Sequence, residues 1–168
     1  MRPEYAGNYS APDGQKLTFR AEQNHLIIMY NGQPIALEKR GRDRFLCPHP
    51  DFSLFLLQFT RDKGGVTEAS YGSQWYANDR YTGPRQFQYP PAWNSYPGHY
   101  RTSTRHPINF RIGLRKGKLL MIGAGGDENP LGPAAGRHFS TGQLAGMGEF
   151  CGCARRKDST RKLLGHKF

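Results

Sequence analysis

The fold of this chain is decided by residues 25–37, which read His-Leu-Ile-Ile-Met-Tyr-Asn-Gly-Gln-Pro-Ile-Ala-Leu. An apolar run from Leu26 to Tyr30 stops at Asn31-Gly32, and apolar residues resume at Ile35. An Asn-Gly pair accepts the positive φ angles that a tight turn between two antiparallel strands requires. The segment therefore predicts a β-hairpin.

Alternation of apolar and polar residues continues on both sides of this hairpin. Leu17, Phe19 and Ala21 alternate with polar residues, as do the apolar positions of 110–114. Alternation with a period of two is typical of half-buried strands. Two further hairpins are predicted, one joining strands 53–60 and 66–71 through Asp62–Gly65, and one joining strands 110–115 and 118–122 through Lys116-Gly117.

The predicted fold class is therefore all-β, with a meandering antiparallel sheet. Nothing in the first 140 residues shows apolar spacing of three and four over a helical length. Short strands with Gly, Asn or Pro between them suggest a barrel, because closure removes the exposed edges of a sheet.

An internal repeat indicates that the barrel is duplicated. Tyr5-Ala-Gly-Asn-Tyr9 returns as Tyr96-Pro-Gly-His-Tyr100, and Phe19-Arg20 returns as Phe110-Arg111, both 91 positions later. Further matches place Leu37 and Phe45 against Leu131 and Phe139, 94 positions later, with the three extra residues expected around the turn at 123–126. Similarity at a fixed spacing is the signature of a repeated structural unit.

Four regions are predicted from these patterns. Residues 1–83 are predicted to form the first barrel unit and 84–95 an ordered linker rich in aromatic residues and proline. Residues 96–140 would form a second, incomplete unit, and 141–168 a Gly-rich and then basic tail.

The positive charge of the chain is concentrated in that tail. The 168 residues carry 24 Lys and Arg against 13 Asp and Glu, a net charge of +11. Residues 151–168 hold six cations and one anion, which is +5 of that excess. A basic tail attracts phosphate without specifying a partner, and such runs are commonly solvated termini. Weak nucleic-acid association through the tail is an alternative, but nucleic acid is not the predicted partner.

Membrane insertion and export are not predicted from the residues of this chain. The longest apolar run, Leu26 to Tyr30, is far shorter than the roughly 18 residues of a membrane span. The first residues, Met-Arg-Pro-Glu-Tyr, lack the apolar segment of a secretory signal. The compartment is left open.

Metal and cofactor sites are not predicted either. Three cysteines cannot pair completely, which favours free thiols. Cys47, His49 and Asp51 alternate and could face one ion, but the two intervening prolines indicate a stiff loop. Gly123-Ala-Gly-Gly126 lacks the third glycine of a dinucleotide-binding loop and is predicted to be a turn.

Catalytic motifs are present only as fragments. Ser159 and Lys162 fit the S-x-x-K spelling of serine acylases, and Tyr76 and Asn78 fit Y-x-N. The serine of S-x-x-K needs the start of a buried helix so that the lysine can take its proton, whereas Ser159 lies in the charged tail. No catalytic residue is therefore predicted.

The strongest non-catalytic signal is a run of aromatic residues with arginines between positions 71 and 100. Such rings bind bases, sugars or peptides, or they fill interfaces between domains, and packing is the favoured interpretation. The residues predicted to contact a partner or ligand are Tyr71, Trp75, Tyr76, Tyr81, Arg85 and Trp93.

Residues 5–81 also resemble a known family. The matching segments are Tyr5–Tyr9, Asp13-Gly14, Leu17–Phe19, Leu26, and Phe55–Arg61 followed by Gly64-Gly65-Val66. Together they are similar to the C-terminal lipocalin-like domain of bacterial serine hydrolases of the class C beta-lactamase and D-aminopeptidase type. The second unit is similar to a further barrel carried by some members.

The resemblance implies an accessory role. The acylating serine, its lysine and the tyrosine base would lie in a separate hydrolase domain, upstream in the same or a neighbouring chain, so none is carried over to this sequence. The barrels would pack on that domain and shape substrate access or assembly, including assembly into a homo-oligomer. Relatives of this type are cytoplasmic or exported.

Two features stand apart from the resemblance. After Phe139 the alternation expected of a second barrel stops, as a shifted reading frame would cause. A stand-alone barrel that binds a small apolar ligand is an alternative function, although inward Phe19, Phe55 and Phe59 would fill its interior.

Overall fold

The computed structural model describes residues 3–102, 109–123, 126–133, 138–141, 150–151 and 165–167. The chain divides into two compact units, Met1–Phe87 and Gln88–Phe168. The fold is all-β, as the alternation predicts: within the described ranges, strands are accompanied by three short 3-10 helices and no α-helix. None of these helices is long and apolar enough to cross a membrane.

The first unit is a closed barrel of eight antiparallel strands. They are β1 (Gly7–Ser10), β2 (Lys16–Glu22), β3 (His25–Tyr30), β4 (Gln33–Gly41), β5 (Arg44–Leu46), β6 (Leu57–Asp62), β7 (Gly65–Tyr71) and β8 (Gln74–Ala77). Each strand pairs with the next, and Ser10 pairs with Ala77 to close the ring. A 3-10 helix, Pro3–Tyr5, precedes β1. Closure leaves the barrel without a free edge.

The hairpin predicted from residues 25–37 is confirmed. β3 and β4 pair from Leu26 opposite Leu37 to Tyr30 opposite Gln33. Asn31 and Gly32 have φ angles of 50° and 77°. Two successive positive φ angles are those of a type I′ turn, whose twist matches that of the flanking strands.

The strand predicted to begin at Ser53 begins instead at Leu57. A second 3-10 helix, Pro50–Phe52, stands before it, with His49 as its N-cap, and the N–H of Ser53 bonds to the carbonyl of Pro50. These local hydrogen bonds hold the backbone in a helical turn. The pairing of β6 with β7 therefore begins only at Leu57. Phe55 therefore lies in the connection and is only half-buried, whereas Leu57 and Phe59 point into the barrel as predicted.

Aromatic rings fill the barrel interior. The ring of Phe59 lies with its centroid 5.0 Å from Tyr5, 5.9 Å from Tyr9, 5.1 Å from Phe19 and 5.6 Å from Phe45. All four contacts are tilted or edge-to-face, the arrangement that aromatic pairs prefer. Tyr9, Phe19 and Phe45 are at most 1% exposed.

The second unit is an antiparallel sheet that comes after a third 3-10 helix, Pro91–Ser95. Its strands are β9 (Gly98–Thr102), β10 (Asn109–Arg115), β11 (Lys118–Gly123), β12 (Glu128–Pro133), β13 (His138–Thr141), β14 (Phe150–Cys151) and β15 (Gly165–Lys167). In the described residues their order is β14-β13-β12-β11-β10-β9-β15. The buried core of the sheet consists of Phe110, Ile112, Leu119, Met121 and Leu131.

Strands β9 to β13 repeat the pairing register of β1 to β5. Leu119 opposite Leu131 repeats Leu26 opposite Leu37. Gly132 opposite Ser140 likewise repeats Glu38 opposite Leu46, so the predicted offset of 94 holds in this part of the repeat.

The predicted match of Phe19 with Phe110 is wrong by two residues. Gly7 lies opposite Phe19, and the equivalent Gly98 lies opposite Ile112, so the structural counterpart of Phe19 is Ile112. Two of the three extra residues therefore precede β10, and one falls between β11 and β12. A shift by two preserves the inward face of a strand, which is why the sequence pattern did not detect it.

In each unit, the same hydrogen bond joins the first strand to the segment just before it. The hydroxyl of Tyr9 donates to the carbonyl of Tyr5 at 3.0 Å, and the hydroxyl of Tyr100 donates to the carbonyl of Tyr96 at 2.6 Å. The repeated tyrosine pairs seen in the sequence thus have one structural role in both units.

Candidate functional site

Three of the predicted contact residues come together outside the barrel. The indole of Trp75 meets the rings of Tyr81 and Phe87 edge-on, with centroids at 5.2 and 5.6 Å. Its N–H donates to the carboxylate of Glu68 on the neighbouring strand β7. Arg85 adds a guanidinium 5.9 Å from the Tyr81 ring. We call Trp75, Tyr81, Arg85 and Phe87 the outer aromatic group.

Hydrogen bonds hold the segment after β8 in place. Arg85 donates to the carbonyl of Asn78 at 3.2 Å and to the hydroxyl of Ser10 at 3.3 Å. The hydroxyl of Tyr81 donates to the carbonyl of Pro84 at 3.1 Å. Trp75 is 7% exposed, Tyr81 and Phe87 are half-buried and Arg85 is exposed, so the group presents a cation beside partly exposed rings.

Tyr76 and Tyr71 lie elsewhere in the first unit. Tyr76 is next to Trp75 on one strand, so it points to the opposite face and into the barrel. Its hydroxyl donates toward the amide oxygen of Gln15 or Gln74, and burial raises the pKa of Tyr76 to about 12. The ring of Tyr71 packs on Phe52 and Phe55 in the loop before β6.

Trp93, the last predicted contact residue, belongs to the second unit. It lies in the 3-10 helix before β9 and packs against the core of that sheet together with Tyr96 and Tyr100.

Cys47, His49 and Asp51 do not converge on one point. Cys47 is buried in the barrel core, and burial raises the pKa of its thiol to about 11. The Nδ1 of His49 accepts the backbone N–H of Asp51 at 3.2 Å, and the Asp51 carboxylate accepts the hydroxyl of Tyr30 at 2.8 Å. Within the part of the chain that is described, no three metal-binding side chains form a group.

The densest polar cluster, which the sequence did not indicate, surrounds Arg61. Its Nε donates to both carboxylate oxygens of Asp43, at 3.1 and 2.9 Å. Its two terminal nitrogens donate to the Glu4 carboxylate at 2.8 and 3.0 Å. One of them also donates to the hydroxyl of Tyr5 at 3.0 Å, and that hydroxyl donates to Asp43 at 2.6 Å.

Three separate elements bring this cluster to one end of the barrel. Asp43 stands in the turn between β4 and β5 with a left-handed φ of 60°, and Arg61 lies in β6 next to a bulge at Thr67 of the neighbouring strand β7. Glu4 and Tyr5 come from the 3-10 helix before β1, where Arg80 also donates to the Glu4 carbonyl at 3.0 Å. The ring of Tyr5 lies 5.2 Å from Phe45 and closes this end of the interior.

Charge and burial change the acidities within the cluster. Hydrogen bonds from the Arg61 guanidinium hold the pKa of Asp43 below its usual range. Burial, together with the hydrogen bond to Asp43, raises the pKa of Tyr5. At neutral pH the cluster therefore contains a neutral phenol between a carboxylate and a guanidinium.

Several predicted features lie outside the described residues. They are Ser159 and Lys162 of the S-x-x-K motif, Cys153, and the cations at 155–162. The turn predicted after β11 is described at both of its ends, where the N–H of Gly123 bonds to the carbonyl of Asp127 at 2.9 Å.

Comparison with known proteins identifies no relative of this chain. No family model matches it, and no curated protein or solved structure matches it either. The similarity to the hydrolase accessory domain therefore stays a prediction from the residues.

Proposed function

We propose that this chain is a non-catalytic accessory module of a serine beta-lactamase-like hydrolase. It packs on the catalytic domain and shapes substrate access or assembly. The observation that carries the proposal is the filled barrel interior, in which Phe59 contacts four other rings. Side chains can fill the interior of an eight-stranded barrel completely, which leaves its outer surface to contact a partner.

The residues that carry the resemblance also support the proposal, because they build the barrel. Tyr5, Tyr9, Leu17, Phe19 and Leu26 are all buried in its core. A motif made of core residues determines the fold and supplies no catalytic side chain. A barrel domain without catalytic residues is what the family resemblance implies.

The Y-x-N residues of this chain have structural roles that fit a non-catalytic module. Tyr76 points into the barrel, and the side-chain amide of Asn78 donates to the carbonyl of Val66 at 2.9 Å. The carboxamide oxygen of Asn78 accepts the N–H of Arg80 at 3.0 Å. Both side chains therefore stabilise β8 and the turn at its C-terminal end.

The outer aromatic group is the contact surface in this proposal. An arginine above aromatic rings has the composition of interface hot spots, where truncation of one residue costs 10-fold or more in affinity. Arg85 is its exposed member and is the residue that would reach the catalytic domain.

The test begins with the transcript that encodes this chain. An open reading frame on it with S-x-x-K and Y-x-N motifs would supply the hydrolase domain, which is purified and titrated with the chain by calorimetry. We expect a micromolar Kd, a changed KM for nitrocefin or D-aminoacyl anilides, and at least 10-fold weaker binding by Arg85→Gln.

Arg20→Gln is the matched control, since Arg20 is an exposed arginine on β2 of the same barrel. The proposal is refuted if no such reading frame exists, or if the two proteins do not associate at about 100 μM. Hydrolysis by the purified chain alone, lost on replacing one serine, would refute it as well.

A further inference from the structure

The connection between β5 and β6, residues 47–56, is capped by a histidine ring that can accept its hydrogen bond only while the ring is neutral. We infer that His49 makes this connection a pH-sensitive switch, whose 3-10 turn loses its cap when the ring is protonated. The inference does not depend on the accessory role proposed above, because it concerns bonds within the barrel unit and not its contact with a partner.

The structure shows the neutral state of the switch. The Nδ1 of His49 accepts the backbone N–H of Asp51 at 3.2 Å, and the N–H of Phe52 bonds to the carbonyl of His49 at 2.9 Å. A backbone amide can only donate, so the ring nitrogen that receives it carries no proton. His49 therefore takes the place of the Ser, Thr, Asp or Asn that usually caps a helix. Unlike those residues, a histidine gains a proton between about pH 8 and pH 5.

The Asp51 carboxylate lies where the protonated ring would bind. Its Oδ2 is 3.8 Å from the Nδ1 of His49. This distance is too long for a hydrogen bond, but a movement of about 1 Å would close it once Nδ1 carries a proton. The same oxygen accepts the hydroxyl of Tyr30 at 2.8 Å. Protonation therefore exchanges the bond from the backbone N–H of Asp51 for a charge-assisted bond to the side chain of the same residue.

The other titratable groups that face the ring from neighbouring elements stay neutral over this pH range. Tyr30 of β3 meets the ring edge-on at 5.0 Å, and its hydrogen bond to Asp51 raises its pKa. Cys47, whose carbonyl accepts the N–H of His49 at 2.8 Å, has its thiol pKa raised to about 11 by burial. The side chain of His49 is 33% exposed, so protons reach it from solvent. Among these groups, the histidine is therefore the one that changes charge.

The cap supports residues that strand pairing does not hold. Pairing of β6 begins only at Leu57. Before it, the N–H of Leu54 bonds to the hydroxyl of Tyr71 at 3.2 Å, while the Leu54 side chain is 54% exposed. Loss of the cap would loosen residues 50–54 and move this apolar side chain. Acidification would thus change the surface at this end of the barrel.

The test follows the full chain by heteronuclear NMR from about pH 8 to pH 5. We expect the backbone amide signals of residues 51–54 to shift with the same midpoint as the ring signals of His49. The protection of the Phe52 amide against hydrogen exchange, corrected for the intrinsic effect of pH, should fall about fivefold on acidification, which is the typical effect of losing one helix cap.

His49→Asn tests the role of the ring, because asparagine caps helices well but does not titrate in this range. In this variant the same amide signals should stay in place on acidification. His25→Asn is the matched control, since His25 is an exposed histidine on β3, and it should leave the response unchanged. The inference is overturned if the amides of residues 51–54 do not shift with the ring of His49, or if they shift equally in His49→Asn.

Discussion

Replacing Phe59 by alanine tests the filled barrel interior most directly. The side chain is 5% exposed and contacts four aromatic rings. Deletion of a buried phenylalanine costs about 3–5 kcal/mol, from lost transfer free energy and from the cavity that remains. We expect the upper part of that range, because each aromatic pair contributes about 0.5–1.5 kcal/mol beyond its buried area.

The measurement is urea unfolding monitored by tryptophan fluorescence in a Trp93→Phe background, which leaves Trp75 of the barrel as the reporter. With an m-value of about 1.5 kcal/mol/M, the barrel midpoint should fall by about 3 M. Leu54→Ala is the control: Leu54 is 54% exposed, and its truncation should cost less than about 0.5 kcal/mol. A cost below about 1.5 kcal/mol for Phe59→Ala would falsify the filled interior.

Three further outcomes are expected. Arg61 lowers the pKa of Asp43 in the folded state, so the stabilisation that Asp43 gives is present above its unfolded pKa and is lost as pH falls through the lower folded pKa. In urea unfolding, Asp43→Asn should therefore reduce the free energy of unfolding by more at pH 7 than at pH 2. Gly72 has a φ of 58°, and an added Cβ would lie 2.8 Å from the Phe55 ring, so Gly72→Ala should lower the free energy of unfolding by more than about 1 kcal/mol, and an unchanged urea midpoint would contradict this. Burial raises the pKa of the Cys47 thiol to about 11, so little thiolate is present at pH 8. In a variant whose other cysteines are replaced by serine, Cys47 should react with a disulfide reagent only as fast as the barrel unfolds. Rapid reaction in native buffer would instead show an accessible thiolate.

The fold class was predictable because strands and turns leave local signals. The alternation in β2 and β10 fixed their inward faces, and Asn31-Gly32 fixed a hairpin register. The start of β6 was not predictable, because whether residues 50–55 extend or curl depends on the cap made by His49.

The candidate site was much less predictable. Glu4, Asp43 and Arg61 are separated by 18 to 57 positions, and no local pattern links them. Their meeting depends on barrel closure, which brings the segment before β1, the β4–β5 turn and strand β6 to one end. Trp75, Tyr81 and Arg85 were grouped as contact residues because they are close in sequence. Tyr76 was grouped with them for the same reason but lies in the barrel core, since neighbours on a strand face opposite sides.

The register of the two repeats shows how one scaffold tolerates exchange of its core residues. Leu17 and Phe19 of the first unit correspond to Phe110 and Ile112 of the second. The phenylalanine therefore occupies the second inward position of the strand in the first unit and the first inward position in the second unit. Each pair combines one benzyl and one branched aliphatic group, which leaves their summed volume nearly constant. Swapping such pairs between the units, rather than single residues, is therefore the conservative way to recombine them.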